Sequence, residues 1–388
     1  MQSERILFLS DGKINELKAG KAVEHISSAA ESYVRNVKEI NAKNAWKKRG
    51  AGAMFTGVQL MQGEEDVVLP CVTGLAATED GKLAYAVNTG STAGIYVKDL
   101  AAAGEKDGFI LTKRDVAFFD LDAHNGRMVT TVAENGEVHL AVVSADGGSV
   151  SACTEGDCRD GNPKWSRFEE DVLLYDSCGL GFDGNLRVAK IGPSSVYRLH
   201  IRTGALEEVL EGGVHDYICP YEAQDGTIYC IRRPHREPKS AGMSLMDVLL
   251  FPVRLLKAIF GFLNFFTQRY AGESLKTSGG QNPAKSRQKS EEQLFVEGNL
   301  LAAEKNMKEN AARGEKNAGY APSSWELIAK RADGRVEVLR KGVLNFCVGA
   351  EGRIVFSNGK YIIAMDGASQ KEETLLGAAY LGRKLTMM

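Results

Sequence analysis

The sequence predicts an all-β chain built from repeated antiparallel hairpins, and three observations carry that prediction. A small pattern recurs, an acidic or amide residue followed by Gly, a polar residue and an apolar one. It stands at Asp11-Gly12, Asp80-Gly81, Asn125-Gly126, Asn135-Gly136, Asp225-Gly226, Asp333-Gly334, Glu351-Gly352 and Asn358-Gly359. Asn-Gly and Asp-Gly supply the positive φ angles of tight hairpin turns, so each instance marks a strand reversal. The flanks are short, β-prone and bounded by turn residues, as in Leu83–Val87, Ile228–Ile231 and Arg353–Phe356. The chain also carries 42 glycines in 388 residues, above the usual ~7% and without a collagen period.

The strands group in fours. One group runs from about Val72 to Thr112, a second from Val116 to Thr154 and a third from Pro163 to Leu210. A fourth starts at Asp216 and resumes from Trp325 to Arg340, and a fifth covers Leu344 to Leu375. Strands Arg5–Ser10 and Lys13–Lys18 are expected to join the C-terminal Ala378–Leu385, which closes a ring and hides sheet edges. Propeller blades take ~40–45 residues. The expectation is therefore a β-propeller of about six four-stranded blades with helical insertions. Residues 1–234 and 320–388 form that domain, 235–319 are inserted, and 20–46 add a helical insertion on the rim. The rim helix is expected between Ala22 and Ala42, where Val23, Ile26, Ala30, Tyr33, Val37 and Ile40 recur at helical spacing.

Asn162-Pro163-Lys164-Trp165-Ser166, followed by Val172-Leu173-Leu174-Tyr175, resembles the repeat of TolB-like, WD40-like β-propellers. Val196 to Gly204 is similar to that family's next strand and turn, and Cys219-Pro220 with Asp225 to Tyr229 begins another unit. Where the family has Pro-Asp-Gly after the Ser, this chain has Arg167-Phe168-Glu169. The resemblance implies a binding platform.

Between Ile231 and Trp325 the repeat stops. An apolar run from Met243 to Phe266 has its polar residues Asp247, Arg254, Lys257, Gly261 and Asn264 in one narrow helical stripe. Pro252 is expected to kink that helix or start a new one near Phe251. About 24 residues are just long enough to span a bilayer, but both ends of the insertion return to one blade. The expectation is an interfacial helix. Its apolar contacts are Leu245, Leu249, Phe251, Leu255, Leu256, Ile259, Phe260, Phe262, Leu263 and Phe266, and Arg232, Arg233, Arg236, Arg254 and Lys257 face headgroups. Residues 232–290 hold eleven basic against three acidic residues, a pattern attracted to anionic leaflets at ~1 kcal/mol per Lys or Arg. After a flexible linker, Ser290-Glu291-Glu292-Gln293 is a capping box for a helix to about Arg313, solvated and returning the chain.

The formal net charge of −2 and the 44% hydrophobic content exclude disorder and give no sign of nucleic-acid binding. Seven scattered cysteines do not form a dense disulfide scaffold, and no secretory signal opens the sequence, so a reducing compartment is expected. Cys153 and Cys158 are expected as free thiols, with a disulfide or half a metal site as alternatives. Asp120-Leu121-Asp122-Ala123-His124 places oxygens at alternate positions like a calcium loop, without the distal acid. His124, His139, His200 and His215 are read as strand-surface residues, with a gathering around a channel as the alternative. Neither a Gly-x-Ser-x-Gly elbow nor a His-Glu-x-x-His string occurs. No cofactor, metal or catalytic residue is assigned. The expected function is a non-enzymatic scaffold at the cytoplasmic face of the cell membrane, with an anionic membrane surface and a protein as partners. The alternatives are a propeller hydrolase or small-ligand binder with a polar channel site, or a docking subunit of a larger complex.

Overall fold

The computed structural model describes residues 4–44, 70–89, 92–102, 106–183, 187–236, 243–244, 293–296, 299–349, 352–367, 369–377 and 382–388. Strands β1 (Ile6–Ser10), β2 (Lys13–Lys18) and β3 (Lys21–His25) precede helix α1 (Ser28–Asn44). Strands β4 (Cys71–Ala77), β5 (Leu83–Asn88), β6 (Thr92–Lys98) and β7 (Gly108–Arg114) form one four-stranded antiparallel sheet. A ten-stranded sheet follows, with β8 (Val116–His124), β9 (Arg127–Glu134), β10 (Glu137–Ser144), β11 (Val150–Ala152), β12 (Cys158–Trp165), β13 (Val172–Phe182), β14 (Arg187–Ile191), β15 (Ser195–His200) and β16 (Ala205–Leu210). Its β8–β11 meander meets the β12, β13, β15, β16 meander through a single parallel pair, Val138 and Arg159.

Strands β17 (His215–Glu222) and β18 (Ile228–Pro234) come next, then β19 (Met243–Ser244), which pairs with β14 as the tenth strand of the large sheet. The hairpin β20 (Gln293–Val296) and β21 (Asn299–Ala302) leads into α2 (Ala303–Ala312). Strands β22 (Glu326–Lys330) and β23 (Val336–Lys341) then complete a sheet of order β17-β18-β22-β23. Strands β24 (Asn345–Val348), β25 (Arg353–Ser357), β26 (Tyr361–Asp366) and β27 (Glu372–Gly377) form another, and β28 (Arg383–Met387) returns to give the order β28-β1-β2-β3.

The turn chemistry explains these reversals. Asp11-Gly12, Asn125-Gly126 and Asn135-Gly136 are two-residue links between paired strands, with both residues at positive φ, as a turn matching strand twist requires. Gly81, Gly226, Gly334, Gly352 and Gly359 also sit at positive φ in their turns.

The apolar faces bury between neighbouring sets of strands, and the series returns from the last set to the first. Leu7, Ile14, Leu75 and Tyr85 fill one seam, while Ile95, Phe118, Val132 and Val143 fill the next. Trp165 packs with Val129 and Leu173, and Leu174 with Ile228 and Ile328. Ile231, Leu327, Phe346 and Phe356 form the largest seam, and Phe8, Val355 and Ile362 join the last sheet to the first. Buried polar side chains stitch the same seams. The Asn88 side chain bonds both the N–H and the C=O of Phe118, at 2.9 and 2.8 Å. Asp122 accepts from Trp165 N (2.9 Å), Asp176 from Cys219 N (2.8 Å) and Asn345 from Leu385 N (2.8 Å). Each meets a backbone group that is costly to leave unpaired.

The helices depart from expectation at their starts. Residues 21–25 form the outer strand β3, paired with β2, and α1 begins only at Ser28. Ser27 Oγ caps it by accepting from Ala30 N (3.1 Å), and Asp107 accepts from Ser28 N (2.8 Å) while paired to Lys98 (2.8 Å). That places a carboxylate at the positive end of the helix. The expected helix from Ser290 also begins later: Gln293–Val296 and Asn299–Ala302 pair with each other, and α2 starts at Ala303. It is not merely solvated. Asn306 Nδ2 donates to Tyr320 O (3.0 Å), and Asn310 Nδ2 donates to both Gly319 O (3.1 Å) and Ala321 O (2.9 Å). Asn358 O accepts from Tyr320 N and Ala321 N (2.9 and 3.0 Å), so α2 is clamped to the β25–β26 turn.

The expected apolar helix from Met243 has its first two residues in β19 instead, and 245–266 lie outside the described residues. Among the described residues no helix is long and apolar enough to cross a membrane. Register fixes where the insertion leaves. Pro234 pairs with His215 at the start of β17, and Ile228 pairs with Glu222 at its end. The insertion therefore departs from the end of this sheet opposite Glu222.

Candidate functional site

Six strands, each the first of its antiparallel set, line one cup of about 1980 Å³. They contribute Leu75 from β4, Asp120 to Asp122 from β8 and Asn162 to Lys164 from β12. Cys219 to Tyr221 come from β17, Asn345 to Val348 from β24 and Lys384 to Met387 from β28. The cup opens at the Glu222 end of β17, away from Pro234, where the insertion leaves.

A repeated backbone irregularity aims the polar side chains. The ladder shifts between Phe119 and Asp122, between Gly161 and Lys164, and between Ile218 and Tyr221, and β1 shifts opposite β28. At these bulges Asp120 (φ 54°), Asn162 (49°), Cys219 (55°) and Lys384 (49°) are left-handed. Asp and Asn tolerate that region, whereas Lys and Cys hold it at a cost of order 1 kcal/mol. Gly74 is required beside them, because a Cβ there would lie 2.7 Å from the Asp120 carbonyl carbon.

A hydrogen-bonded chain crosses the base of the cup. Lys384 Nζ donates to the Asp120 carboxylate and to Asn162 Oδ1 (2.9 Å). Asp120 Oδ2 also accepts from Asn162 N (3.1 Å) and Thr131 Oγ1 (3.3 Å). Asn162 Nδ2 donates to Asp176 Oδ2 (2.8 Å), the same oxygen that takes Cys219 N. Burial pushes the Asp176 carboxyl up to about 7 against those donors, and the Asp120 charge adds to the rise.

On the wall, Asp122 is held by Lys164 (3.1 Å) and Arg167 (3.2 Å). Burial works to raise its carboxyl, but the Arg167 and Lys164 charges and the Trp165 N–H prevail and hold it below the usual range. Arg353 pairs with Glu4 at 3.0 Å. Between these charges lie Pro163, Pro220, Tyr221, Phe346 and Met387. Asp120 and Asp122, the calcium-like pair, thus point to different amine partners. Cys347 also lines the cup, with its thiol pushed up by burial.

Of the residues expected to meet a membrane or partner, Arg232, Arg233 and Arg236 are described. Arg233 is enclosed, paired to Asp216 (3.2 Å) and stacked 4.9 Å from the Trp325 ring centroid, so it serves the fold rather than an outer surface. Arg232 is held by Glu326 at 2.6 Å, and Arg236 is exposed. Leu245, Leu249, Phe251, Arg254, Leu255, Leu256, Lys257, Ile259, Phe260, Phe262, Leu263 and Phe266 lie outside the described residues. None of the six histidines lines the cup; His235 Nδ1 lies 2.7 Å from Asp216 and His25 Nε2 2.7 Å from Glu16. All seven cysteines are described and none is in a disulfide. Burial pushes Cys153 up to about 12 and Cys158 up to about 11, so both are neutral thiols. Among the described residues no three His, Cys, Asp or Glu side chains gather as metal ligands. The string Gly179-Leu180-Gly181-Phe182-Asp183-Gly184 has dinucleotide-loop spacing, but Gly179 to Phe182 lie in β13, antiparallel to β14. A dinucleotide loop instead joins a strand to a helix.

The cup itself escaped sequence reasoning. Its one local signal is Asn162-Pro163-Lys164-Trp165, and its polar chain links residues more than 200 positions apart.

No family model matches the chain, and no curated protein sequence matches it. Among solved structures it is similar to TolB from Acinetobacter baumannii, at 11% identity and a TM-score of 0.49, over 99% of this chain and 66% of that one. It is also similar to a chain of the nidogen/laminin complex, at 10% identity and a TM-score of 0.49, over 99% and 98% of the two chains. Puromycin hydrolase matches at 8% identity and a TM-score of 0.35, over 76% of this chain and 33% of that one. The chain thus spans about two thirds of the TolB chain and a third of the hydrolase. The chain resembles TolB-like β-propeller structures at low identity.

Proposed function

We propose that the chain is a propeller of six four-stranded blades that works as a binding platform, taking a ligand or a protein segment into the cup. The observation that carries this reading is the cup's preorganisation. Its charged groups are oriented by one another, as in the Lys384–Asp120–Asn162 and Asp122–Lys164–Arg167 clusters, with apolar surface between them. Concave sites that hold fixed polar groups beside apolar surface favour binding because little must be ordered on association. A photo-cross-linking residue at Val348 on the cup wall should give a discrete adduct in cells, lost in the Tyr221→Glu variant. The same residue at Val214, 81% exposed beside the insertion, should not give that adduct. No adduct from Val348, or one shared by both positions, removes the reading.

The second part of the proposal is contact with an anionic membrane surface through 245–266, carried by the apolar run and its basic flank. The full chain should float with phosphatidylserine vesicles at low salt and stay behind with neutral ones. Deleting 245–290 should abolish flotation. Equal flotation with and without that stretch sinks this part, and self-association through it is the competing outcome.

A further inference from the structure

The base of the cup is a built acceptor site that already has an occupant. Two oxygens meet there, one on Asp120 and one on Asn162, and neither depends on Lys384 for its direction. Asp120 is oriented by Asn162 N and Thr131 Oγ1, both donating to Oδ2, which leaves Oδ1 to Lys384. Asn162 is oriented by donating its amide nitrogen to Asp176, which leaves its Oδ1 to the same ammonium. The Asp176 oxygen that receives it is itself held by Cys219 N. Lys384 then delivers an ammonium to both from β28, in a left-handed backbone that a lysine adopts only under strain. Seven carboxylates against five cationic side chains line the cup, a balance that raises the local concentration of cations.

We propose that the base of the cup is a recognition site for a primary ammonium group, and that Lys384 is its built-in, self-inhibiting occupant. A ligand presenting a lysine side chain or a free amine competes with Lys384 for the same two oxygens. This inference rests on the cup being a ligand site and names the chemistry that site selects.

The test uses n-propylammonium, which supplies the atoms that Lys384→Ala removes. It should bind the folded Ala variant at least roughly tenfold more tightly than the wild type, measured by calorimetry. Adding Asp120→Asn to that variant should return binding to the wild-type level. Tetramethylammonium, which has no N–H to donate, should bind neither. Equal affinity for wild type and variant, or binding that survives Asp120→Asn, overturns the proposal.

A second measurement needs no variant. On acetylation of the wild-type chain, Lys384 should react far more slowly than Lys308, whose side chain is 76% exposed. Propylammonium should speed labelling of Lys384 alone, and an unchanged rate overturns the proposal. If both amine tests fail while the Val348 adduct persists, the ammonium site is wrong and the platform stands. If the adduct is also absent, the platform goes with it.

Discussion

Asp122 and Asp176 occupy successive seams and each accepts a backbone N–H from the next strand set, yet burial wins at one and loses at the other. The difference is the company: Asp122 has two cations at about 3 Å, whereas the groups bonding Asp176 are a neutral amide and a backbone N–H. Arg159 acts on Asp176 in the lowering direction and Asp120 in the raising one, and neither reverses the outcome. Because the folded chain holds the Asp176 proton more firmly than the unfolded chain, stability falls as pH rises from the ordinary carboxylate range to about 7, then levels. Asp176→Asn keeps an oxygen for both donors and removes the ionisation. Urea unfolding should show the variant losing about 2 kcal/mol less than the wild type between pH 5 and pH 8. Parallel pH profiles would falsify the assignment. Asp122 behaves oppositely, since its stabilisation is present above the ordinary carboxylate range and disappears as acid protonates it.

At the scale of elements, α2 shows how an insertion can be sewn into a sheet edge. Asn310 is 1% exposed and satisfies two carbonyls that have turned away from regular pairing. Asn310→Ala strands both, and chemical denaturation should register a loss of about 2–3 kcal/mol; a change below about 0.5 kcal/mol would return α2 to a solvated role. The hairpins were legible in the sequence because Asp-Gly and Asn-Gly act locally, through φ angles that their own residues permit. Helix starts were not. Val23 keeps helical spacing with Ile26, and Gln293 closes a good capping box, but at Val23 and Gln293 a partner strand claimed the backbone first. The cup was harder still, since Asp120 and Lys384 become neighbours only when the last strand docks beside the first.

Across the whole molecule, that docking decides whether the sheet edges are covered. Strand β28 hydrogen-bonds β1 and carries Leu385 into the seam with Phe8 and Val355. Deleting residues 383–388 should expose the β1 edge and the β24 side of the seam together, and size-exclusion chromatography should show higher-order species in place of the native peak. An unchanged elution profile would mean the remaining strands hold without β28. The placement of the insertion has a separate consequence. Its root at Pro234 and the cup at Glu222 lie at opposite ends of β17, an eight-residue strand, and so roughly 25 Å apart. A counterpart held at the Pro234 root and one seated in the cup would therefore meet opposite ends of this strand. Two weak attachments of this kind multiply, because the first holds the second site at millimolar-scale effective concentration. If both proposed contacts form, retention is strongest where both counterparts are present.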